Sequence, residues 1–481
     1  MRAAIAAEGA GVPSVSLVCM GFERQGAATG RGLGYDGLPL AVLTAHVDSQ
    51  SADAMVDSFL DVTLDQVVAG LTVGNDDGAT AEGRGDGGRE PAALDIVATG
   101  DIDEINRRFL DEGWSDGHPI IPPTRDRVES YLAATGHDPW KRLGIARPSG
   151  RDLTIWSIAV NAVMAGCGPD HLPVLIALTE ILADPGYGAE HSGNTTGADA
   201  LVILSGPSMT ELGFNAGAGA LREGAHANTS IGRWLRLYLR NVFDFTADEH
   251  DKATFGNSAR VVLAEDQVAL EEIGWSTVGE DLGLEPGTDS ASMARMNSGA
   301  IIGSVYGSTP KEILPYLADG LVRVSGWDLT HVYGLGQGQF RPLLILSPVL
   351  ARVFGRAGWT KDRVRAALFE HARMPAARFE RLIGEWSNLT AGRPRLVDLA
   401  DAGHLPAVFG ESDDPDRLVP IVTDPTKFVI AVAGDANRTN AYVMSNDGPH
   451  GYWVAKPVDR TTADDLSCIV EPPAEGSGRR V

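Results

Sequence analysis

Apolar runs and amphipathic stretches alternate along most of this 481-residue chain. Near the start, residues 15–20 and 38–43 are rich in β-branched and aliphatic side chains, which predicts two buried strands. Residues 52–71 carry apolar side chains at helical spacing, and residues 23–33 predict a shorter helix between the two strands. The order β-α-β-α is typical of a parallel α/β layer.

A stretch of different composition follows this first segment. Residues 73–90 are rich in Gly and Asp and contain almost no large apolar side chain after Val73. Such a composition cannot bury enough surface to order itself, so it predicts a flexible tether. We therefore expect a small α/β module at residues 1–72, a linker at 73–93 and a large body at 94–481.

The body also alternates predicted helices and strands, which indicates the α/β class. Helices are expected at residues 101–110, 124–134, 153–165, 169–182, 230–243, 360–372 and 376–386. Strands are expected at residues 200–204, 301–306, 343–346, 428–433 and 441–444.

An internal repeat is a further hypothesis for the body. Residues 201–205 (Leu-Val-Ile-Leu-Ser) resemble residues 343–347 (Leu-Leu-Ile-Leu-Ser), and Gly213 and Gly355 lie at matching offsets. Asn257-Ser258 and Asn440-Ala441 each precede a later strand. Two related α/β halves, 94–275 and 276–481, would explain this match, whereas the alternative is that strand-then-Ser turns are simply common.

Charge and cysteine content narrow the function classes. The 64 acidic residues outnumber the 40 basic ones, and the net charge of −24 disfavours binding to nucleic acids or anionic membranes. Cys19, Cys167 and Cys468 are far apart, which predicts neither a disulfide framework nor a metal site. Without a signal peptide or a membrane-length apolar run, a soluble cytoplasmic protein is expected.

Two short motifs match catalytic patterns in the wrong context. Residues 113–117 (Gly-Trp-Ser-Asp-Gly) fit G-x-S-x-G, but a helix precedes them and a proline-rich run follows, so Ser115 is not expected to be a nucleophile. Residues 32–37 fit G-x-G-x-x-G but lead into a strand, so they predict a turn.

Residues 165–171 (Ala-Gly-Cys-Gly-Pro-Asp-His) suggest a thiol site. Gly166 suits the end of one helix and Pro169 the first turn of the next, which would put Cys167 at a corner near a helix N-terminus. Such a position lowers the pKa of a cysteine, and His171 could act as its proton partner. The alternative is a small buried cysteine at a packed corner.

A polar loop between a predicted helix and strand is a candidate substrate loop. It contains His191 as a possible acid–base group, with Asn194, Thr195 and Thr196 as possible substrate ligands. An ordinary polar turn would have the same composition.

A Gly-rich loop and the following helix start suggest an anion site. The candidate ligands are Asn215, His226, Asn228, Ser230 and Arg233, with Ser230 as the expected N-cap. Arg236 and Arg240 continue the basic line along the helix. The alternative is a solvated helix face.

The first segment resembles the UGSC-motif selenoprotein family in the part that follows the redox motif of that family. Residues 11–18 match its Gly-Ile-Pro-type strand, and residues 38–43 with His46 match its Leu-Pro strand and His turn. That domain is in turn similar to the end of selenoprotein B-type subunits of glycine, sarcosine and betaine reductases. No Cys-Gly-Ser-Cys motif occurs in the chain, so no redox residue carries over.

The second segment resembles large uncharacterised proteins that accompany UGSC proteins. The matching marks are residues 113–119 with 122–124, 161–167, 211–215 and 227–233. The resemblance implies a fusion of two partners in a redox or thiol context.

These observations lead to three functional hypotheses. The first is a small-molecule enzyme that cleaves or reduces a carbon–heteroatom bond of an anionic or carbonyl substrate with thiol chemistry at Cys167, His171 and His191. The second is a thiol-independent hydrolase or lyase with His and carboxylate acid–base pairs, and the third is a scaffold subunit of a redox complex. A homo-oligomer or a redox partner chain is expected, and the cofactor is left open.

Overall fold

The computed structural model describes residues 2–32, 35, 37–45, 47, 51–72, 93–147, 149–247, 250–256, 262–334, 338–387, 392–448 and 452–460. Most of the predicted linker (73–93), together with His46, Asn257, Ser258 and Cys468, lies outside these residues.

The first segment folds as a small α/β module. Its elements are α1 (Arg2–Gly9), β1 (Ser16–Cys19), α2 (Glu23–Gly32), β2 (Leu40–Leu43), α3 (Ala52–Ser58) and α4 (Leu64–Thr72), with a π-helical turn at Phe59–Thr63 between the last two. The strands β1 and β2 pair in parallel. The Thr63 hydroxyl donates to the Val42 carbonyl, and the Gln66 side chain accepts from the Val42 amide, so helix side chains satisfy the open edge of β2.

The body begins with helices and a short hairpin and then alternates strands and helices. Its first part comprises α5 (Ile102–Asp111), α6 (Arg125–Ala133), β3 (Arg142–Ile145), β4 (Asp152–Thr154), α7 (Ile155–Ala165), α8 (Leu172–Ala183), β5 (Asp199–Ser205), α9 (His226–Asn241), β6 (Val262–Ala264), α10 (Gln267–Ile273), α11 (Val278–Asp281) and β7 (Ser290–Ile302). Its second part comprises α12 (Pro310–Val324), β8 (Leu343–Leu346), α13 (Pro348–Arg356), α14 (Lys361–His371), β9 (Arg373–Pro375), α15 (Ala376–Glu380), α16 (Leu396–Asp401), β10 (Leu418–Pro420), β11 (Val429–Val432), β12 (Ala441–Asn446) and β13 (Val454–Pro457).

Seven of the described strands form one mixed sheet, and its order has an internal symmetry. The order is β11-β8-β12-β7-β5-β6, with β13 pairing beside β7. In the first half, β5 pairs in parallel with β6 and antiparallel with β7. In the second half, β8 pairs in parallel with β11 and antiparallel with β12. The antiparallel pair β7–β12 joins the two sides. The strand order is therefore that of two equivalent halves related by a pseudo-twofold axis between β7 and β12.

The two runs that match in sequence are the equivalent strands β5 and β8. Asn440, however, directly precedes the third strand of its half (β12), whereas residues 257–258 precede the second strand of the other (β6). This part of the sequence match therefore pairs non-equivalent positions. The symmetric order also puts the division after β7, rather than at residues 275–276 as the sequence suggested.

The two faces of the sheet pack differently. Alternate strand residues such as Leu201, Ile203, Leu343 and Ile345 share one apolar cluster that spans both halves. Their neighbours along the strands pack against helices in two separate clusters, one for each half. Burying a side chain of this kind contributes about 1.5–3 kcal/mol, so the shared face is a major link between the halves.

The sheet also curls until its two edge strands approach each other. The Asp266 amide, just after β6, donates to the Val432 carbonyl of β11 at 2.8 Å. Next to it the buried Glu265 carboxylate accepts from the Val278 amide and the Ser205 hydroxyl, both at 2.7 Å. Burial raises the pKa of Glu265. The Asp266–Val432 bond, together with the bond from the Val432 amide to Glu265 at 3.4 Å, ties the two edge strands together.

One strand differs clearly from its prediction. The sequence predicts a strand at residues 301–306, whereas β7 spans Ser290–Ile302. Its first part reads Ser-Ala-Ser-Met-Ala-Arg-Met-Asn, which lacks the aliphatic signal of a strand but lies buried in the centre of the sheet. Small side chains suit this place because strands and helices pack closely around it. Within the described part of the chain, no helix is long and apolar enough to cross a bilayer.

Candidate functional site

The turn between two helices at Cys167 forms as predicted, but the thiol does not have the predicted low pKa. Helix α7 ends at Gly166 in the left-handed conformation (φ 80°), and a 3₁₀ turn at Pro169–His171 leads into α8. Cys167 is only 7% exposed. Burial raises the pKa of its thiol to about 12, although a hydrogen bond with Ser230 and the charge of Arg233 lower it. The predicted low pKa is wrong because desolvation outweighs both favourable contacts.

The predicted proton partner is also a buried group. The Nε2 atom of His171 lies 3.1 Å from the Leu212 carbonyl oxygen, and its ring packs near Phe214 and His226. Burial lowers the pKa of His171. The neutral ring therefore anchors the loop before α9 to the start of α8.

The predicted anion site at the start of α9 is a structural joint. The helix begins at His226 rather than after Ser230, so Ser230 is not its N-cap; it is buried and donates to the Ala227 carbonyl. The Asn228 side chain accepts from the Asn215 amide and donates to the carbonyls of Asn215 and Val262. Asn228 thus joins the Gly-rich loop to β6, and the helix starts early because these buried residues pack within it.

Arg233 is engaged by the segment that carries the G-x-S-x-G match. Its guanidinium donates to both carboxylate oxygens of Asp116, at 3.1 and 3.0 Å, and to the Pro119 carbonyl at 2.7 Å. Burial opposes ionisation of Asp116, but these bonds lower its pKa overall. The Ser115 hydroxyl donates to the His118 carbonyl. Arg233 therefore clamps this segment onto α9.

A second polar cluster lies at the pseudo-twofold axis and draws on both halves. We call it the axis network: Asn194, Arg295, Asn297, Asp328 and Asp447. The Asn194 amide donates to Asp447 Oδ2 at 2.7 Å, and the Asn297 amide donates to Asp328 Oδ1 at 2.6 Å. The first bond joins the loop before β5 to the end of β12. The second joins β7 to the segment before β8.

Arg295 is the buried cation of the axis network. It lies on β7 and is fully buried. One terminal nitrogen donates to the carbonyls of Tyr187 and Gly188 at 3.0 and 3.1 Å, and Nε lies 3.5 Å from Asp447 Oδ2. Its guanidinium also packs over the Tyr187 ring. Buried charges of this kind persist only when they are paired and hydrogen-bonded.

Asp328 is the titratable group of the axis network. Burial raises its pKa to about 6, although hydrogen bonds from Ser445 and Asn297 lower it. The Thr196 hydroxyl donates to Asn194 Oδ1 at 2.7 Å, and Asn297 Oδ1 lies 3.4 Å from the same hydroxyl. His331 Nε2 lies 3.8 Å from Asp447 Oδ1.

A small cleft of about 100 Å³ opens beside this network. We call it the α9 cleft, because α9 provides Arg236, Leu239 and Arg240 to its wall. The remaining lining residues come from the loop before β5, from β5 itself, from residues 245–256 and from Arg295. Arg236 forms an ion pair with Asp199, and Arg240 donates to the Gly113 carbonyl at 3.2 Å. The buried side chain of Arg295 therefore connects the cleft with the axis network.

The N-terminal module contacts the segment that borders this cleft. The Lys252 ammonium donates to the Gly21 carbonyl at 2.8 Å and lies 5.6 Å from the centre of the Phe22 ring. Its chain neighbours Asp251 and Ala253 line the cleft. The module itself has two parallel strands with helices before, between and after them.

The family model of the UGSC family matches residues 1–73. The match covers the whole of the small module, so we call this part the UGSC module. No curated protein matches the chain. The resemblance of the body to UGSC companion proteins, and the more distant one to reductase subunits, remain expectations from sequence.

The sequence candidates thus fall in two places. Around α7–α9 lie Cys167, His171, Asn215, His226, Asn228, Ser230 and Arg233. Asn194 belongs to the axis network, and Thr196 borders it. The Thr195 carbonyl accepts from Thr254, and His191 ends a short 3₁₀ turn in the same loop. No group of three or more His, Cys, Asp or Glu in the described ranges is arranged to hold a metal ion.

Sequence reasoning missed Arg295, Asn297, Asp328, His331 and Asp447. They come from three separate segments, and none belongs to a recognisable motif. One signal was available, because Arg295 interrupts a run of small and apolar residues in the stretch 290–296. A lone charge in such a run points to a buried ion pair.

Proposed function

We propose that this protein is a small-molecule enzyme that uses acid–base chemistry, rather than a thiol, to hydrolyse or eliminate at a carbon–heteroatom bond. The α9 cleft would take the substrate, and the axis network would handle the proton. This corresponds to the thiol-independent hypothesis from the sequence. A small molecule as partner and a cytoplasmic location, suggested by the acidic composition and sparse cysteines, belong to the same proposal.

The observation that carries the proposal is the buried carboxyl of Asp328. With a pKa of about 6, it can both take up and release a proton near neutral pH. The Asn297 amide donates to this carboxyl, and the Thr196 hydroxyl of the Asn194 loop lies 3.4 Å from Asn297 Oδ1. Buried groups with a shifted pKa are candidates for acid–base catalysis, and the axis network meets the α9 cleft through Arg295.

The other members of the network would position and stabilise. Arg295 contacts both the cleft and Asp447, so its charge can stabilise negative charge that develops on a substrate oxygen. Asn194 fixes the Asp447 carboxylate, and Asp447 in turn lies beside His331. In this arrangement the ionised Asp328 would accept the proton, and Arg295 would carry the positive charge.

A thiol mechanism receives little support from the surroundings of Cys167. At a pKa of about 12 the thiol is protonated at neutral pH, and its candidate partner His171 is bound to a backbone carbonyl.

The test is a screen for turnover followed by a pH–rate profile. The purified protein is incubated with panels of small esters, amides and hydroxy acids, and products are detected by mass spectrometry. For the substrate that turns over, kcat should rise with pH through an apparent pKa near 6 as Asp328 loses its proton. The Asp328→Asn variant should lose this limb together with most of its activity. A profile without a group near 6, or an unchanged profile in Asp328→Asn, would remove the basis of the proposal.

A further inference from the structure

The charges that line the α9 cleft are unusual for so acidic a chain. The described lining contains three arginines, Arg236, Arg240 and Arg295, but only two carboxylates, Asp199 and Asp251. The chain as a whole has a net charge of −24. The lining thus has one more basic than acidic side chain, which favours small anions over cations.

Two of these arginines already have a carboxylate partner. Arg236 pairs with Asp199, and Arg295 lies 3.5 Å from Asp447. Among the described residues no carboxylate forms an ion pair with Arg240, whose recorded partner is the Gly113 carbonyl through one terminal nitrogen. A single backbone bond leaves most of the five donors of a guanidinium for other partners.

The position of Arg240 suits a small ligand. It follows Arg236 by one turn of α9, about 6 Å along the helix axis, and both side chains border the cleft. Leu239 and Phe245 contribute apolar side chains to the lining, together with the small residues Gly197, Ala198 and Ala200. A planar guanidinium beside an apolar wall matches a carboxylate on a short carbon chain.

We propose that Arg240 binds the carboxylate of a short-chain carboxylic acid in the α9 cleft. The carbon chain of the acid would pack on Leu239 and Phe245, with its other end toward Arg295. The inference names the substrate class of the site and rests on the proposed function in taking the α9 cleft as the substrate site. Binding itself requires no turnover.

The experiment is a calorimetric titration of the full chain with sodium butyrate at constant ionic strength. Arg240→Gln should weaken butyrate binding about tenfold or more, as expected for the loss of charge-assisted hydrogen bonds. The affinity of Arg240→Lys for butyrate should lie between those of the wild type and Arg240→Gln, because lysine retains the charge but not the planar guanidinium. Butyramide, which has the same shape without the charge, should bind much more weakly to the wild type.

The matched control is Arg323→Gln, which removes an exposed arginine in a surface pair with Asp319. It should bind butyrate as the wild type does. Equal affinities for wild type, Arg240→Gln and Arg240→Lys, equal binding of butyramide, or no binding of butyrate to the wild type would each overturn the inference. If Arg240→Gln fails to fold, the comparison of Arg240→Lys with wild type decides.

A separate variant distinguishes this inference from the proposed function. Turnover by Asp328→Asn tests the proposed function, whereas butyrate binding by the Arg240 variants tests this inference. If Asp328→Asn keeps full turnover while Arg240→Gln loses butyrate, the carboxylate site stands and the acid–base proposal fails. If Asp328→Asn loses turnover while all Arg240 variants bind butyrate equally, the acid–base proposal stands and the carboxylate site fails.

Discussion

The Cys167 corner and the axis network are both buried polar clusters, but they are built in different ways. At the corner, Cys167, Ser230, Arg233 and Asp116 all belong to the first half of the body, and the main charges neutralise each other. In the axis network the polar groups come from both halves, and Asp328 keeps a pKa of about 6.

The comparison shows where this fold holds a buried carboxyl that can titrate near neutral pH. The turn of the corner is recognisable from sequence because residues 165–171 are contiguous, whereas its ion pair joins Arg233 to Asp116, 117 positions away in the chain. The axis network has no sequence motif because its members meet only after the two halves pair through β7 and β12. Its buried Asn–Asp bonds and its ion pair hold the halves together as well as holding a titratable carboxyl.

The largest expected effect comes from breaking the ion pair at the axis. Asp447→Ala leaves the fully buried Arg295 without this carboxylate and removes the acceptor of Asn194. The free energy of unfolding should fall by about 3–5 kcal/mol. Urea denaturation measures it, with Asp319→Ala, which breaks an exposed pair, as a control that should cost at most about 1 kcal/mol. Similar losses in the two variants would contradict the role of the network in joining the halves.

The raised pKa of Asp328 predicts a specific pH dependence of stability. Between about pH 4 and pH 6 the unfolded chain releases this proton while the folded protein keeps it. The wild type is therefore destabilised as the pH rises through this window, by about 3 kcal/mol at the full shift. Asp328→Asn lacks the effect, so its stability relative to wild type should increase from pH 4 to pH 7. Urea titrations of both proteins at several pH values should show this divergence, and a pH-independent difference would show that the carboxyl titrates normally.

Removing the clamp at the corner should have an intermediate effect. From sequence alone Arg233→Ala is expected to leave the fold intact and weaken substrate binding. In the structure Arg233 holds Asp116 with two bonds and also donates to the Pro119 carbonyl. Because the pair is only partly buried, we expect a loss of about 1–3 kcal/mol in the free energy of unfolding. An unchanged stability together with weaker butyrate binding would restore the anion site at this helix start.

The smallest effect concerns the reactivity of the thiols. Cys167 is buried with a pKa of about 12, whereas Cys19 at the end of β1 is partly exposed. Iodoacetamide at pH 8 should therefore modify Cys19 and leave Cys167 unmodified until the protein is unfolded. Peptide mass spectrometry reads both sites in one sample. Rapid labelling of Cys167 in the folded protein would revive the thiol hypothesis.

The sequence predicts the elements of this fold better than it predicts the site. The paired runs 201–205 and 343–347, the module strands and the corner at Gly166 are all encoded by neighbouring residues. The sequence does not predict the position of β7, because its small residues are not hydrophobic enough to indicate a strand and are buried by the strands and helices around them. Ser230 was misplaced for a related reason, since α9 starts where Asn228 finds buried partners rather than where a capping side chain stands.

The most direct test of the central claim compares Asp328→Asn with Cys167→Ala on the substrate that the turnover screen identifies. If the axis network performs the chemistry, Asp328→Asn should lower kcat about 100-fold or more. Cys167→Ala should keep kcat within about twofold, because a protonated, buried thiol contributes packing rather than catalysis. The reverse pattern, with full activity in Asp328→Asn and none in a folded Cys167→Ala protein, would contradict the account.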